Sequence, residues 1–265
     1  MALFLILAIL LNSNSSVFSQ LMIDKAKIKL EIIPKETFAG TINVRNFSEK
    51  NVGVKVYFQD FVYIAPFDGR KNFLTLGATE YSCGKWIRFF PEEFTLAPFG
   101  KEEVAYSIEV PEGIKGGYYG VLFFETSMGQ LEGKEVHLKV VQRLGCLFFL
   151  ETDDKTKKAE IKTISITQDP LQGYFVNSGD TILIPSSVFY IMDKQGMIVG
   201  RGEIEKFYLP PGEKTSFNIK LPGELSQEAY TLVITFDLEE GDSLIKEIDF
   251  VKEKPGIIKI LQIRD

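Results

Sequence analysis

His137 is the only histidine among 265 residues, so an imidazole general base, an acyl-transfer triad or a histidine-ligated metal would have to be built around it. It lies in the alternating run Val136-His-Leu-Lys-Val140 and shares a face with Lys139, as a charged surface position of a strand does. No GxSxG elbow accompanies any serine. The chain also lacks HExxH, a paired cysteine motif and an Asp-rich calcium loop. Gly113 to Gly120 is rich in glycine but has no GKS or GKT ending and runs into a strand, so it does not read as a phosphate loop. The carboxylate pairs Glu92-Glu93, Asp153-Asp154 and Glu239-Glu240 are adjacent in sequence. Neighbours in an extended chain point to opposite faces, which suits solvated turns better than two acids across a cleft. The chain therefore reads as no enzyme, with no cofactor and no metal site.

The remaining chemistry concerns compartment. Met1 to Leu11 is uninterruptedly apolar and Asn12 to Ser16 is polar. About 11 residues is too short for a bilayer span, which needs about 20, and Val17-Phe-Ser19 suits a signal cleavage before Gln20. Residues 1–19 thus read as a signal peptide, although no Lys or Arg precedes the apolar core. No later stretch is apolar enough for a membrane helix. Cys83 and Cys146 would be able to pair in an oxidising compartment, and otherwise are two small core residues. Asn46-Phe-Ser48 fits a glycosylation acceptor if the source is eukaryotic. A formal net charge of -6 opposes nucleic-acid binding.

The elements that carry these residues are strands. Ala26, Ile28, Leu30 and Ile32 alternate with Lys25, Lys27, Lys29 and Glu31, the pattern of a half-buried strand. Thr41–Val44, Val52–Phe58, Glu103–Val110, Tyr118–Phe124 and Val136–Val140 repeat the pattern between turn residues. An internal repeat organises them. Leu96-Ala-Pro-Phe-Gly, a strand ending at Pro111, and Tyr118 to Phe124 return as Leu209-Pro-Pro-Gly, a strand ending at Pro222, and Tyr230 to Phe236. Asn46 and Asn177 end matching strands. The expected fold is all-β, two tandem immunoglobulin-like β-sandwich domains, 20–150 and 151–265, divided near the charged stretch Thr152 to Lys158. Tyr118 and Tyr230 suit tyrosine corners, and Trp86 a core anchor.

On Asp24-Lys-Ala-Lys-Ile28, Ile42 to Asn46, Trp86, the Leu96-Ala-Pro turn and Gln142-Arg-Leu-Gly-Cys-Leu-Phe-Phe149, the first domain resembles the periplasmic pilus chaperones of the PapD type. That resemblance implies a last strand lent to a folding subunit, here Val136, Leu138, Val140, Leu144, Cys146 and Phe148 as the strand-addition edge. It also implies two basic anchors for the partner's terminal carboxylate, Lys27 and Arg143. In Asn177-Ser-Gly-Asp-Thr181 and Asp193-Lys-Gln-Gly196 the second domain resembles adhesion-type sandwiches of bacterial surface proteins, and in its tandem turn-strand-Pro-Gly-Tyr pattern the chain is similar as well to WxL-interacting proteins. The first resemblance implies a periplasmic, chaperone-like binder of a pilus or surface subunit. The second implies a secreted structural or adhesive module that binds cell wall or another surface protein. After a Pro255-Gly256 turn, Ile257 to Ile263 forms an apolar tail of strand length, expected to pair within its own domain.

Overall fold

The computed structural model describes residues 21–132, 137–165, 170–223, 225–240, 242–254 and 257–265. The signal-peptide reading falls outside them. The first ten strands are β1 (Leu21–Ile23), β2 (Lys27–Ile32), β3 (Thr37–Asn46), β4 (Val52–Tyr63), β5 (Lys71–Leu74), β6 (Ile87–Phe90), β7 (Glu93–Leu96), β8 (Lys101–Glu109), β9 (Gly117–Glu132) and β10 (His137–Thr152). There follow β11 (Ala159–Ser165), β12 (Leu171–Asn177), β13 (Ser186–Met192), β14 (Ile198–Gly202), β15 (Lys214–Ile219), β16 (Ala229–Asp237), β17 (Ser243–Lys254) and β18 (Ile257–Arg264).

These strands make two sandwiches in tandem. The first packs the sheet β1-β3-β8-β6 on the sheet β2-β10-β9-β4-β5, with β7 also paired to β4. The second packs β11-β12-β15 on β14-β13-β16-β17-β18. The opening segment changes sheets: β1 pairs antiparallel with β3, and β2 then pairs parallel with the end of β10. The first core gathers Ile42, Val44, Leu122, Phe124, Phe148 and Leu150, all shielded from water. The apolar tail, as expected, pairs in its own domain, where β18 lies antiparallel to β17.

The repeat seen in sequence is physical. In each sandwich an asparagine closes the second strand of the first-listed sheet and ties three backbone segments together. The Asn46 side-chain amide donates to the Lys50 carbonyl (2.7 Å) and the Ala97 carbonyl (2.9 Å), while its oxygen accepts from the Ser48 N–H (2.8 Å). Asn177 donates to the Thr181 and Leu209 carbonyls (2.8 and 2.9 Å) and accepts from the Gly179 N–H (2.9 Å). Buried turn backbone must find partners, and one amide with two donors and an acceptor supplies them. The Leu-Pro turns therefore recur because each must present a carbonyl to its asparagine.

Three expectations change. Cys83 and Cys146 are free thiols, each fully buried in the first core, so no disulfide joins them. Burial pushes the Cys146 thiol up to about 12 and raises the Cys83 thiol as well. We expect a thiol-reactive dye to label neither cysteine in the native protein and two per chain after denaturation; rapid native labelling would contradict this packing. Trp86 is no central anchor but sits half-buried in a short 3-10 turn, 4.5 Å from the Tyr118 ring. Tyr230 makes the expected corner, donating to the Ser226 carbonyl (3.3 Å), whereas Tyr118 packs on Trp86.

The two sandwiches share an aromatic seam. Phe61, Tyr63, Tyr119, Phe123 and Phe149, on the outer face of the larger first sheet, join the hydrophobic cluster of the second sandwich. Tyr63 stacks on Tyr208 with ring centroids 4.9 Å apart, and Tyr208 donates its backbone N–H to the Phe67 carbonyl (2.8 Å). The Tyr119 hydroxyl accepts the buried Ile182 N–H at 2.7 Å, and burial raises this phenol well above its ordinary pKa. Gly116, at φ +86, lets the chain pass Asp180 closely; an added Cβ would stand 2.7 Å from the Asp180 carbonyl oxygen. We expect Tyr119→Phe to cost about 2 kcal/mol, because it leaves the Ile182 N–H buried without its acceptor. Thermal denaturation measures this, and an unchanged melting temperature would mean that the bond contributes nothing net.

Candidate functional site

The last strand of the first sandwich has two regimes. From Leu147 to Thr152, β10 is flanked by β9 on one side and β2 on the other. From His137 to Cys146 it pairs with β9 alone. The Leu147 N–H donates to the Ala26 carbonyl at 3.0 Å, which fixes the direction of the backbone groups. Alternation then turns the N–H and C=O of Val141, Arg143 and Gly145 toward the same, unoccupied side. Among the described residues these groups have no hydrogen-bond partner.

The edge expected from sequence is corrected in its side chains and its length. Val136 lies outside the described residues, and Leu138 belongs to β10. Val140 is exposed, Leu144 half-buried, and Cys146 and Phe148 are wholly inside the core. Phe148 also faces Ile28 of β2 and so has no open edge. The physical reason is the two-residue period. From Cys146 to Leu150 the even-numbered apolar side chains fasten β10 to its own core, and the groups left open further back are main-chain groups of odd-numbered residues.

Lys27 and Arg143 lie on one face of this sheet, the face turned toward the second sandwich. Lys27 sits in β2 opposite Leu147, with its ammonium 4.0 Å from the Phe149 ring centroid. Burial, with Lys29 beside it, lowers its pKa from the ordinary lysine value. A narrow cavity at this point is walled by Lys27, Phe149 and Glu151 from the first sandwich and by Lys157, Ile182 and Glu239 from the second. Arg143 lies four residues along β10 from Leu147, about 13 Å at the usual strand rise. Its guanidinium covers Phe123 (4.2 Å) and Phe73 (5.3 Å) and reaches the Tyr57 hydroxyl at 3.5 Å. Tyr57 in turn donates to the Glu125 carboxylate at 2.7 Å. The two cations are therefore docked on separate rings along one track. They are not gathered at one point.

Sequence reasoning missed the acidic half of the cleft. Glu239 and Glu240, read as a solvated turn, lie against lysines of both sandwiches: Lys29 is 3.4 Å from Glu239, and Lys155 and Lys157 are 3.5 and 3.6 Å from Glu240. Lys157, with Lys29, holds the Glu240 carboxyl below its ordinary pKa. Their positive φ values, 52° and 50°, mark the tight turn that aims them, and only the Glu-Glu-Gly run hinted at it. Among the described residues no cluster of three potential metal ligands forms, and no helix is long and apolar enough to cross a membrane. His137 belongs to β10 near the far end of the β9–β10 hairpin, opposite Glu132.

No protein-family model matches the chain, and no curated protein matches it. Among solved structures, the Class 5 fimbriae chaperone CfaA superposes with a TM-score of 0.51 at 12% identity, covering 91% of this chain and 98% of that one. A structure of the chaperone-tip adhesin complex of CFA/I fimbriae biogenesis gives the same TM-score of 0.51, 12% identity and coverages of 91% and 98%. The chain thus has the fold of these fimbrial chaperones, two immunoglobulin-like β-sandwiches in tandem.

Proposed function

We propose that this chain is an exported, chaperone-like protein that holds a partner polypeptide by strand addition along the open stretch of β10. The observation that carries this reading is the row of outward main-chain groups at Val141, Arg143 and Gly145, set on a strand that the buried side chains of Cys146, Phe148 and Leu150 fasten to the core just beyond them. A strand so held is rigid before it binds, which reduces the ordering cost of association. An open ladder offers alternating donors and acceptors that an extended partner matches residue by residue.

Lys27 and Arg143 then act at two points along the track. Lys27, at the narrow end in the cleft, takes the partner's terminal carboxylate, and Arg143 fixes the register of the segment further along. A half-desolvated ammonium on an aromatic ring is a better anion partner than one in open water, because a charge-assisted bond gains strength as solvent is removed. The fold of fimbrial chaperones supports a subunit-like partner and a periplasmic setting.

The anchor is tested with an acetylated Thr-Val-Thr-Val-Thr-Val peptide made with either a carboxylate or an amide C-terminus. The carboxylate form is expected to bind about tenfold more tightly, a difference of about 1.4 kcal/mol. Lys27→Ala should erase that ratio. The ratio should be largest while Lys27 is protonated and should vanish as pH rises through its lowered pKa; the amide form should show no such loss. An equal ratio in wild type and Lys27→Ala would remove Lys27 from the site.

A further inference from the structure

A second open strand edge lies in the other sandwich, and it borders a groove of its own. β15 is the outer member of the sheet β11-β12-β15. The Asn177 N–H donates to the Glu213 carbonyl, and the register continues through Phe175 with Thr215 and Gly173 with Phe217. Alternation therefore spends the main-chain groups of Thr215 and Phe217 on β12 and turns those of Ser216 and Asn218 outward. Among the described residues these outward groups have no partner.

Beside that edge runs a groove of about 720 Å³. Phe189, Ile204, Phe207 and Phe217 line it from the core side, and Pro66 of the first sandwich and Pro170 also line it. The opposite wall, Glu203 to Phe207, is irregular chain rather than strand, so nothing completes the ladder from that side. Glu203 and Glu205 on the rim are matched by Lys206 and Lys220, while Asp68 is already paired with Arg70 at 3.0 Å. The groove thus carries no net charge preference. What it offers is a row of alternating donors and acceptors over an apolar floor, within the usual size of a ligand site.

We propose that this groove is a second strand-addition site, which takes an extended segment of another polypeptide with apolar side chains at alternate positions. The assignment does not rest on the reading of β10. A strand laid along β15 pairs its main chain with Ser216 and Asn218 and drops every second side chain onto the phenylalanines. A helix or a compact anion satisfies neither row. The floor already belongs to the core, so the site is formed before the partner arrives.

The test uses the full chain and the same acetylated Thr-Val-Thr-Val-Thr-Val peptide in its amide form, read by residue-resolved amide hydrogen exchange. Saturating peptide is expected to slow exchange at Ser216 and Asn218 at least tenfold. N-methylation of one set of alternate peptide amides should abolish the slowing at these two positions, and methylation of the other set should leave it. Asn218→Pro removes an outward N–H without touching the β12 ladder and should weaken the effect at Ser216 about tenfold. Unchanged exchange at Ser216 and Asn218, or slowing that survives both methylation patterns, would overturn the proposal whatever happens at Val141 to Gly145.

Discussion

Replacing Asn177 with alanine is expected to destabilise the second sandwich by about 3 kcal/mol. The side chain is wholly buried, and its loss strands the Thr181 and Leu209 carbonyls and the Gly179 N–H together. Each buried polar group left unpaired costs about 1–3 kcal/mol, and a shared loop lets part of that relax. Asn177→Asp should do no better, because a carboxylate has no donor for either carbonyl. Asn46→Ala should cost less. There the Ser48 hydroxyl, which is 2.8 Å from the Asn46 side-chain oxygen, also lies 3.1 Å from the Lys50 carbonyl and is free to donate to it once the amide is gone. Chemical denaturation of the three variants gives the order directly. A loss under about 0.5 kcal/mol for Asn177→Ala would show that the turn finds its partners elsewhere.

The pair Val141→Pro and Arg143→Pro is expected to lower affinity for a strand-forming peptide about a hundredfold while leaving the fold intact. Both N–H groups face away from β9, so the ladder inside the sheet loses nothing, and proline is tolerated on an edge for that reason. What is lost is two pairing donors, and two rings now stand where the partner's backbone would lie. At about 1 kcal/mol for each bond, plus the steric cost of the rings, a hundredfold change is the expected scale. Arg143→Ala, which keeps its N–H, should weaken binding less than Arg143→Pro. Equal effects of the two substitutions would move the role of this position from its main chain to its guanidinium.

Much of this was legible in the sequence, and the rest was hidden for physical reasons. The alternation around Lys27 and Ile28 identified a strand because burial on one face leaves a two-residue record. The repeated Leu-Pro turns and the paired Asn46 and Asn177 identified two copies because each copy needs the same amide to close the same turn. What periodicity does not record is which neighbour a strand has. Phe148 and Cys146 looked available because they alternate, yet alternation is equally what fastens a strand to its own core. The division of β10 into a covered and an open stretch depends on the sheet switch between β1 and β2, which leaves only a three-residue gap in the chain. The seam of Tyr63, Tyr119 and Tyr208 was invisible for a related reason: those residues lie up to about 145 positions apart and read locally as ordinary strand or loop aromatics. Lys27 and Arg143 are proposed as anchors from motif position, and their separation along β10 follows only from the register with β2.

The most direct measurement is residue-resolved amide exchange of the full chain with and without the saturating carboxylate-terminated peptide. The account predicts that Val141, Arg143 and Gly145 slow at least tenfold, while Leu147, already bonded to the Ala26 carbonyl, does not change. Saturable binding with no slowing at Val141, Arg143 and Gly145 would contradict strand addition along β10.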